Sequence, residues 1–494
     1  MKAKRTELAI VGAGPAGLAA ALEAALGGAK AIVIDAYTQP GGHYFKQLPP
    51  ALQRVPSTED ARESELRSLL ASLAKSSVEV LSGTIVWGIF QDEGPSFANR
   101  VDVVNAPTGP QTDEQEHKVR FTLYLQGPHQ TQCIEAEYLI LATGAYDRPV
   151  PFPGWTLPGV ITPGAAQMLL KGQGILPGKR VLVAGTGPLL LAVGASLAEA
   201  GAQVVGVLDT APLWEDWQAM PWALWGQWAR LWEAWRYWRT LRIHAVPVLF
   251  GHAVFQALGE QEVHAAVIGR VDAEGHPLWG TERTVAVDTI CVGFGFLPSI
   301  ALSQHLGCRH FYNPELDAYV PQHTDTLETT TPGVFVAGDM TGVGGKPLSM
   351  LQGRVAGLTI MEKLGYLPPD AVKARVRKLR SQIRRERRFA RLLRKRFRVR
   401  PGLLDLIRDD TVICRCERVT AGQIKEAVAD GARDVRGVKI RTRAGMGSCQ
   451  GRYCSLMVGD LIARETGRAR EEVGFIAVRP PVIPVLINNL FVCE

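Results

Sequence analysis

The sequence predicts an α/β protein: two successive doubly wound βαβ halves, then a small helical domain that carries clustered cysteines. Three observations predict it. An apolar β-branched run enters a glycine-rich turn and an alanine-rich helix within residues 7–35. The same order recurs within 179–209, and four of the eight cysteines lie between 414 and 454. Two such units in one chain form a coarse internal repeat, the arrangement of an enzyme with two nucleotide-binding folds.

The first unit reads ELAIVGAG, PAGLAAALEAALGG and AKAIVID, a strand, a helix closed by glycine, and a second strand. Gly12, Gly14 and Gly17 form GAGPAG at the junction. Gly12 allows the tight turn, Gly14 lets a pyrophosphate approach the backbone, and Gly17 lets the helix pack close to the strand. The helix start offers unpaired N–H groups to phosphate. Asp35 ends the second strand, where a carboxylate accepts ribose hydroxyls. A glycine-rich turn that binds nothing is the bland alternative, and the strand, helix and acid in register weigh against it.

The second unit, KRVLVAGTG, PLLLAVGASLAEAGA and QVVGVLD, departs from the fingerprint. Gly185, Gly187 and Asp209 fit, but Leu190 stands where the third glycine belongs. A leucine there pushes the helix from the strand or fills space that a dinucleotide needs. The expectation is a retained fold with an empty or repurposed pocket; if a nicotinamide cofactor does bind, Asp209 favours NAD over NADP.

Between the units, VRFTLYLQG and AEYLILATG read as short strands. Beyond them come a Trp-rich helix over roughly 213–240, the strand-like TVAVDTICVGFG, a buried strand GVFVAGD running into a loop at 333–339, and the helical LSMLQGRVAGLTIMEKLG. A basic helical stretch covers 370–400.

Cys414, Cys416, Cys449 and Cys454 carry the strongest chemical signal. Four thiolates are what a 2Fe–2S cluster takes. Thr420 and Gln423 predict a capping box after Cys416, and SLMVGDLIA predicts a helix after Cys454. Both pairs then sit near helix N-termini, where positive charge favours anionic sulfur. Structural zinc is the alternative, although Cys-x-Cys fits the usual spacing of zinc ligands poorly.

The chain resembles the two-dinucleotide-fold flavoproteins related to glutathione and thioredoxin reductases. GAGPAG with Asp35, Gly41-Gly42 and the following His43 resembles their FAD entry region. Ala142-Thr143-Gly144 matches the strand end that contacts the flavin nucleotide, and TPGVFVAGD, with Gly338 and Asp339, resembles the second FAD motif. The resemblance implies FAD at the first site, with Asp339 on the ribityl chain and Val86 among the contacts. A loop Asp that caps the next helix is the bland reading of Asp339. No Cys-x-x-Cys lies in the flavoprotein body, so disulfide reduction is excluded. CRCERVT and RAGMGSCQGRYC resemble the 2Fe–2S domain of the bacterioferritin-associated ferredoxin type. The whole pattern, through ATGAYDRPVPFPG and GTGPLLLA to RPPVIPV, is similar to the large or A subunits of opine oxidases, the B subunit of hydrogen cyanide synthase and the alpha subunits of proline, hydroxyproline and sarcosine-type dehydrogenases.

That resemblance implies a discontinuous FAD-binding domain over 1–150 and 315–369, and a second NAD(P)-type fold with the Trp-rich insertion over 151–314. A basic linker at 370–410, a cluster domain at 411–470 and a Pro-rich tail at 471–494 complete the division. It further implies an electron-transfer role beside three other components: a flavin-containing catalytic β subunit, an interface flavin and a small ferredoxin-like subunit. The substrate of such a complex is a small amine. The competing readings are a cofactor-free structural subunit or a self-contained NADH-dependent reductase. No convincing acid–base or nucleophile constellation is visible for a catalytic role.

Composition bounds this further. The length of 494 residues exceeds one hydrophobic core, and 46% hydrophobic with 21% charged residues is ordinary for a globular enzyme. The net charge of +7 traces to 373–400, where Glu386 is the only acid. No recognition fold accompanies it, so nucleic acid is not expected. Phe389, Leu392, Leu393 and Phe397 give that stretch an apolar stripe, as in a linker helix packed on the body. Trp214, Trp217, Trp222, Trp225, Trp228, Trp232, Trp235 and Trp238 mostly recur at helical spacing, with Pro221 as a break. They predict core or a partner interface in equal measure, with a membrane surface as a third place for them. No charge-free run approaches the ~20 residues of a span. The expectation is a cytoplasmic protein, able to rest on the cytoplasmic face of a membrane, with free thiols throughout.

Overall fold

A computed structural model of the chain describes residues 3–49, 61–91, 121–129, 132–213, 215, 225–487 and 490. The chain begins with β1 (Lys4–Val11), α1 (Pro15–Gly27) and β2 (Ala31–Ile34). Helix α2 (Ala61–Ala74) leads to β3 (Val78–Leu81), then β4 (Ile85–Gln91), β5 (Phe121–Gln126) and β6 (Cys133–Leu141). Strands β1, β2, β3 and β6 are parallel, and β5 with β4 extends the sheet antiparallel. The central strands are apolar on both faces, as a parallel sheet covered from both sides requires. Leu8, Ala9, Ile10 and Leu139–Leu141 are fully buried.

The chain crosses through β7 (Ala145–Asp147) to a second parallel sheet. It contains β8 (Val160–Ile161), β9 (Arg180–Gly185), β10 (Gln203–Asp209), β11 (Val248–Phe250) and β15 (Thr289–Gly293), in the order β11-β10-β9-β15-β8. Helix α3 (Pro163–Gln173) is capped by the Thr162 side chain, α4 (Leu189–Glu199) follows β9, and α5 (Trp228–Ile243) follows β10. The meander β12 (His252–Leu258), β13 (Ala265–Arg270) and β14 (Arg283–Ala286) stands apart, and β16 (Phe296–Pro298) pairs back with β7. The run TVAVDTICVGFG therefore splits between β14 and β15, in two different sheets.

After the short α6 (Ala301–His305) and the hairpin β17 (His310–Asn313) and β18 (Ala318–Pro321), the chain returns to the first sheet. There β19 (Val334–Val336) pairs with Leu139–Leu141 of β6, while β5 pairs with Cys133–Ala136 of the same strand. Helix α7 (Gly345–Lys363) then packs on α1 so closely that a Cβ on Gly353 would meet the Ala16 carbonyl oxygen at 2.0 Å. Helix α8 (Pro369–Arg396) lays Val372, Val376, Leu379 and Ile383 on the same core.

The C-terminal part comprises β20 (Val412–Cys414), β21 (Val419–Thr420), α9 (Ala421–Ala429), α10 (Val435–Thr442), α11 (Ser455–Thr466) and α12 (Arg470–Val473). It does not have a core of its own. Ile413, Val419, Ile424, Val438 and Ile462 belong to one continuous apolar cluster with Phe152, Trp155, Phe255 and Ile290 of the second nucleotide fold. Trp155 also donates its indole N–H to the Val412 carbonyl at 2.6 Å. The tail crosses back, with the Val482 N–H bonded to Trp87 of β4 and Gln450 bonded to Pro481. No helix among the described residues is long and apolar enough to cross a membrane.

Candidate functional site

The first glycine turn meets the requirements that its sequence imposes. Gly12 has φ +106°, and a Cβ there would lie 2.4 Å from the Ala142 carbonyl oxygen. A Cβ on Gly17 would lie 1.8 Å from the Gly12 oxygen, so α1 can approach β1 only as glycine. Gly14 faces open space, with nothing within 4 Å of a Cβ. Asp35 is buried and accepts N–H bonds from Ala13 and Tyr37, which tie the turn to the end of β2. Burial raises its pKa, against those two N–H groups. A carboxylate has about four acceptor positions, so these bonds leave room for ribose hydroxyls.

The other first-site residues gather at the same carboxyl edge of the sheet. The Gly41 N–H bonds to the Ala13 oxygen, and a Cβ on Gly42 would sit 3.0 Å from the Gly14 Cα. His43 bonds to the Tyr37 hydroxyl at 3.1 Å. Ala142 follows β6, and the Thr143 hydroxyl donates to the Ser299 carbonyl at 2.7 Å. Gly144 accepts the Ser299 N–H at 2.9 Å. Gly338 has φ +80° and donates to Gln352 at 3.0 Å. The Asp339 carboxylate accepts from Gly344 at 3.0 Å and Gly345 at 3.2 Å, so it does hold the start of α7. Val86 is buried in the apolar cluster of the sheet.

The second turn has the same outline and a different interior. A Cβ on Gly185 would lie 1.7 Å from the Gly293 oxygen, and Gly187 faces open space. Leu190 is buried with Val183, Val193 and Val207, filling the helix–sheet contact. Helix α4 accordingly starts two residues after Gly187, whereas α1 starts directly after Gly14. Asp209 is buried and accepts from the Thr186 hydroxyl at 3.1 Å and the Ala211 N–H at 2.9 Å. Burial pushes its pKa up to about 6.

The four clustered cysteines come together from two loops. Cys414 and Cys454 are buried, Cys449 is half-buried and Cys416 is exposed. Cys414 faces Cys454, and Cys416 faces Cys449. Cys414 is the more acidic of the inner pair. The neighbouring Cys454 thiol draws its pKa down to about 6, helped by the N–H groups of Gly445, Glu417 and Cys416, and Cys454 is pushed up in turn. Cys454 is the N-cap of α11, and Thr420 with Gln423 forms a complete capping box on α9. Glycine brings the loops together, since a Cβ on Gly447 would meet the Cys416 Cβ at 2.2 Å.

Among the described residues, no three His, Cys, Asp or Glu side chains gather as the ligands of one ion would. Two thiol pairs side by side match a two-iron cluster, in which four cysteines serve two metals, better than a tetrahedral zinc site. Outside the cluster, Cys291 and Cys308 are free, but Cys133 is disulfide-bonded, which corrects the expectation of free thiols throughout.

Sequence reasoning missed what lies between the two sites. Asp147 is half-buried, accepts the Thr162 hydroxyl at 2.6 Å, and faces His43 electrostatically. Tyr146 donates its hydroxyl to the Arg452 carbonyl at 2.8 Å, and its ring meets Tyr453 edge-on at 5.5 Å between centroids. The only signal was position: both tyrosines sit within two residues of motif residues, Gly144 and Cys454.

Two nucleotide folds, one with an intact glycine turn, and a four-thiol domain sharing the core of the second define a flavin- and iron–sulfur-dependent oxidoreductase. The chain belongs to the family described as pyridine nucleotide-disulphide oxidoreductase, which residues 6–357 match, and residues 412–464 match the BFD-like [2Fe-2S] binding domain. It therefore carries FAD and a 2Fe–2S cluster. It is 32% identical to the hydrogen cyanide synthase component HcnB of Pseudomonas aeruginosa, over 96% of each chain. It is 31% identical to an opine oxidase component of Rhizobium meliloti, covering 98% of this chain and 87% of that one. The L-proline dehydrogenase structure from P. horikoshii superposes with a TM-score of 0.65 at 19% identity, over 99% of this chain and 80% of that one.

Proposed function

We propose that this chain is the electron-transfer subunit of a hetero-oligomeric dehydrogenase for an amine or amino acid, of opine, proline, hydroxyproline or glycine type. A partner subunit with its own flavin oxidises the C–N bond, and this chain passes the electrons on through FAD and the cluster. The observation that carries the reading is the joining of an intact flavin-type cleft and a four-thiol loop in one body. FAD accepts an electron pair and the cluster takes electrons singly, so the two together separate the pair.

In this reading Gly12, Gly14 and Gly17 receive the pyrophosphate, Asp35 the ribose, Ala142–Gly144 with Gly41, Gly42 and His43 the flavin side, and Asp339 the ribityl chain. Val86 adds a further contact. Cys414, Cys416, Cys449 and Cys454 hold the irons. The second fold, at Gly185, Gly187 and Asp209, is structural: Leu190 occupies its interior and Asp209 is already engaged. The partner contacts the Trp face of α5, where Trp228, Trp232, Trp235 and Trp238 are all exposed beside Arg236, Arg239 and Arg242. Trp and Arg are the side chains that dominate binding hot spots. A β-type subunit, an interface flavin and a ferredoxin-like subunit complete the assembly, which works in the cytoplasm.

The test is an anaerobic preparation of the chain assayed for flavin, iron and zinc, beside Cys449→Ser. FAD with about two irons per chain is expected, and Cys449→Ser loses the iron while keeping FAD. Zinc in place of iron, or iron retained in the variant, sinks the cluster assignment. Rapid bleaching of the flavin by NADH alone would replace this reading with a self-contained reductase.

A further inference from the structure

Tyr146 and Tyr453 form the one aromatic bridge, among the described residues, between the flavin-side strand end and the cysteine loop. Tyr146 lies in β7, two residues beyond Gly144. Its hydroxyl bonds to Arg452, and its ring stands edge-on to Tyr453, the residue before Cys454. Tyr146 also lines, with Cys449, Gln450 and Gly451, a narrow cavity of about 90 Å³ between the two lobes. Tyr453 is 43% exposed, so its ring is held by this contact rather than enclosed in a core. The covalent path from Gly144 to Tyr146 is thus joined to Cys454 by a single hydrogen bond and one ring contact.

We propose that this pair couples flavin to cluster, so that electrons pass inside one chain rather than through the partner. The inference rests on the electron-transfer reading above. With both groups bound, the electron that crosses would leave reduced FAD and lower one ferric iron, held by Cys414, Cys416, Cys449 and Cys454, to ferrous. The accompanying proton would pass to solvent, and an external one-electron acceptor would drain the cluster before the second electron follows. Tyr146 and Tyr453 are positioning residues: they fix the path and are not themselves consumed.

The experiment uses the full chain loaded with both cofactors. Single electrons are delivered by light from a deazaflavin, and the rate at which flavin and cluster absorbances equilibrate is recorded with both midpoint potentials. Tyr146→Phe and Tyr453→Leu are expected to slow equilibration several-fold at unchanged potentials and unchanged flavin and iron content. Tyr453→Phe keeps the ring and the wild-type rate. Tyr319→Phe removes a comparable hydroxyl-to-carbonyl bond off the route, to Arg470, and leaves the rate alone. If Tyr146→Phe and Tyr453→Leu both equilibrate at the wild-type rate, the pair does not couple the sites. If Tyr453→Leu loses a cofactor, Tyr453→Phe decides: a slowed rate there overturns the role of the ring. If the wild type never equilibrates although both cofactors are present, the electron-transfer reading itself fails.

Discussion

Gly12 and Gly14 are two positions apart and differ in what a methyl group would meet. At Gly12 it would strike the Ala142 carbonyl on a backbone at φ +106°. Gly12→Ala is therefore expected to destabilise the fold by about 1–3 kcal/mol as well as to lose flavin. At Gly14 it would meet nothing, on an ordinary φ of −74°. Gly14→Ala should keep its stability within about 1 kcal/mol while retaining less flavin. Melting curves read beside flavin content separate the two, and a Gly14→Ala chain with full flavin would remove that glycine from the site. Asp209 makes a prediction about pH. Its folded pKa lies near 6, above the usual carboxylate value, so the folded state holds its proton more tightly than the unfolded chain. The stability this gives is complete below the unfolded pKa and is lost as pH rises through about 6, to the extent of about 3 kcal/mol. Asp209→Asn keeps an oxygen for Thr186 and Ala211, and it should flatten this part of the profile in denaturant titrations from acid to neutral pH. Parallel profiles would show that burial at Asp209 does not matter. The glycine roles were legible because each follows from local backbone geometry. The engagement of Asp209 was not, since it depends on Thr186 and Ala211 closing over it.

Helices show where periodicity stops being informative. The tryptophan spacing predicts a helix with most of the rings to one side. Among the described residues the helix α5 runs from Trp228 to Ile243, and Trp214, Trp217 and Trp222, with Pro221, lie outside the described residues. The described stripe faces outward, because the helix is seated on the body by Leu241. Spacing shows which residues share a face but not which face the body takes, since that depends on what packs beneath. Helix α8 was easier to read: Phe389 and Leu392 are buried as the stripe predicts. Its earlier half, Val372 to Ile383, went unread because the arginines dominate the local composition. Glu386, the one acid in the basic run, is buried and bonded to Arg230 at 2.7 Å, which pins α8 to the start of α5. Glu386→Ala leaves that guanidinium without its partner and is expected to cost about 3 kcal/mol in chemical unfolding. A loss near zero would mean that Arg230 turns to solvent freely.

For the whole molecule, the three-part architecture was readable from its motifs, and GVFVAGD pointed back to the first fold. Two features were not readable. One is the common core of the cluster domain and the second nucleotide fold, because contacts between distant apolar segments leave no local period. The other is the ionic group that ties the cluster domain to the end of β7 and the β17–β18 hairpin, in which Arg148 pairs with Asp317 and approaches Asp460 at 4.0 Å, and Arg470 pairs with Asp460 at 2.8 Å. Its members come from four separated segments, and although Arg148 lies in ATGAYDRPVPFPG and Asp460 in SLMVGDLIA, no local spacing announces that they meet. The divided pairing of β6 also has a bearing on how the protein is made. Cys133–Ala136 can pair with β5 as soon as the strand is synthesised, but Leu139–Leu141 must wait for Val334–Val336 to leave the ribosome. Throughout translation of the second fold, the nascent chain presents an apolar strand edge with unmet hydrogen bonds. A ribosome that stalls in that interval releases a sticky fragment, so chaperone supply during synthesis, more than the stability of the finished protein, should limit how much of it a cell can accumulate.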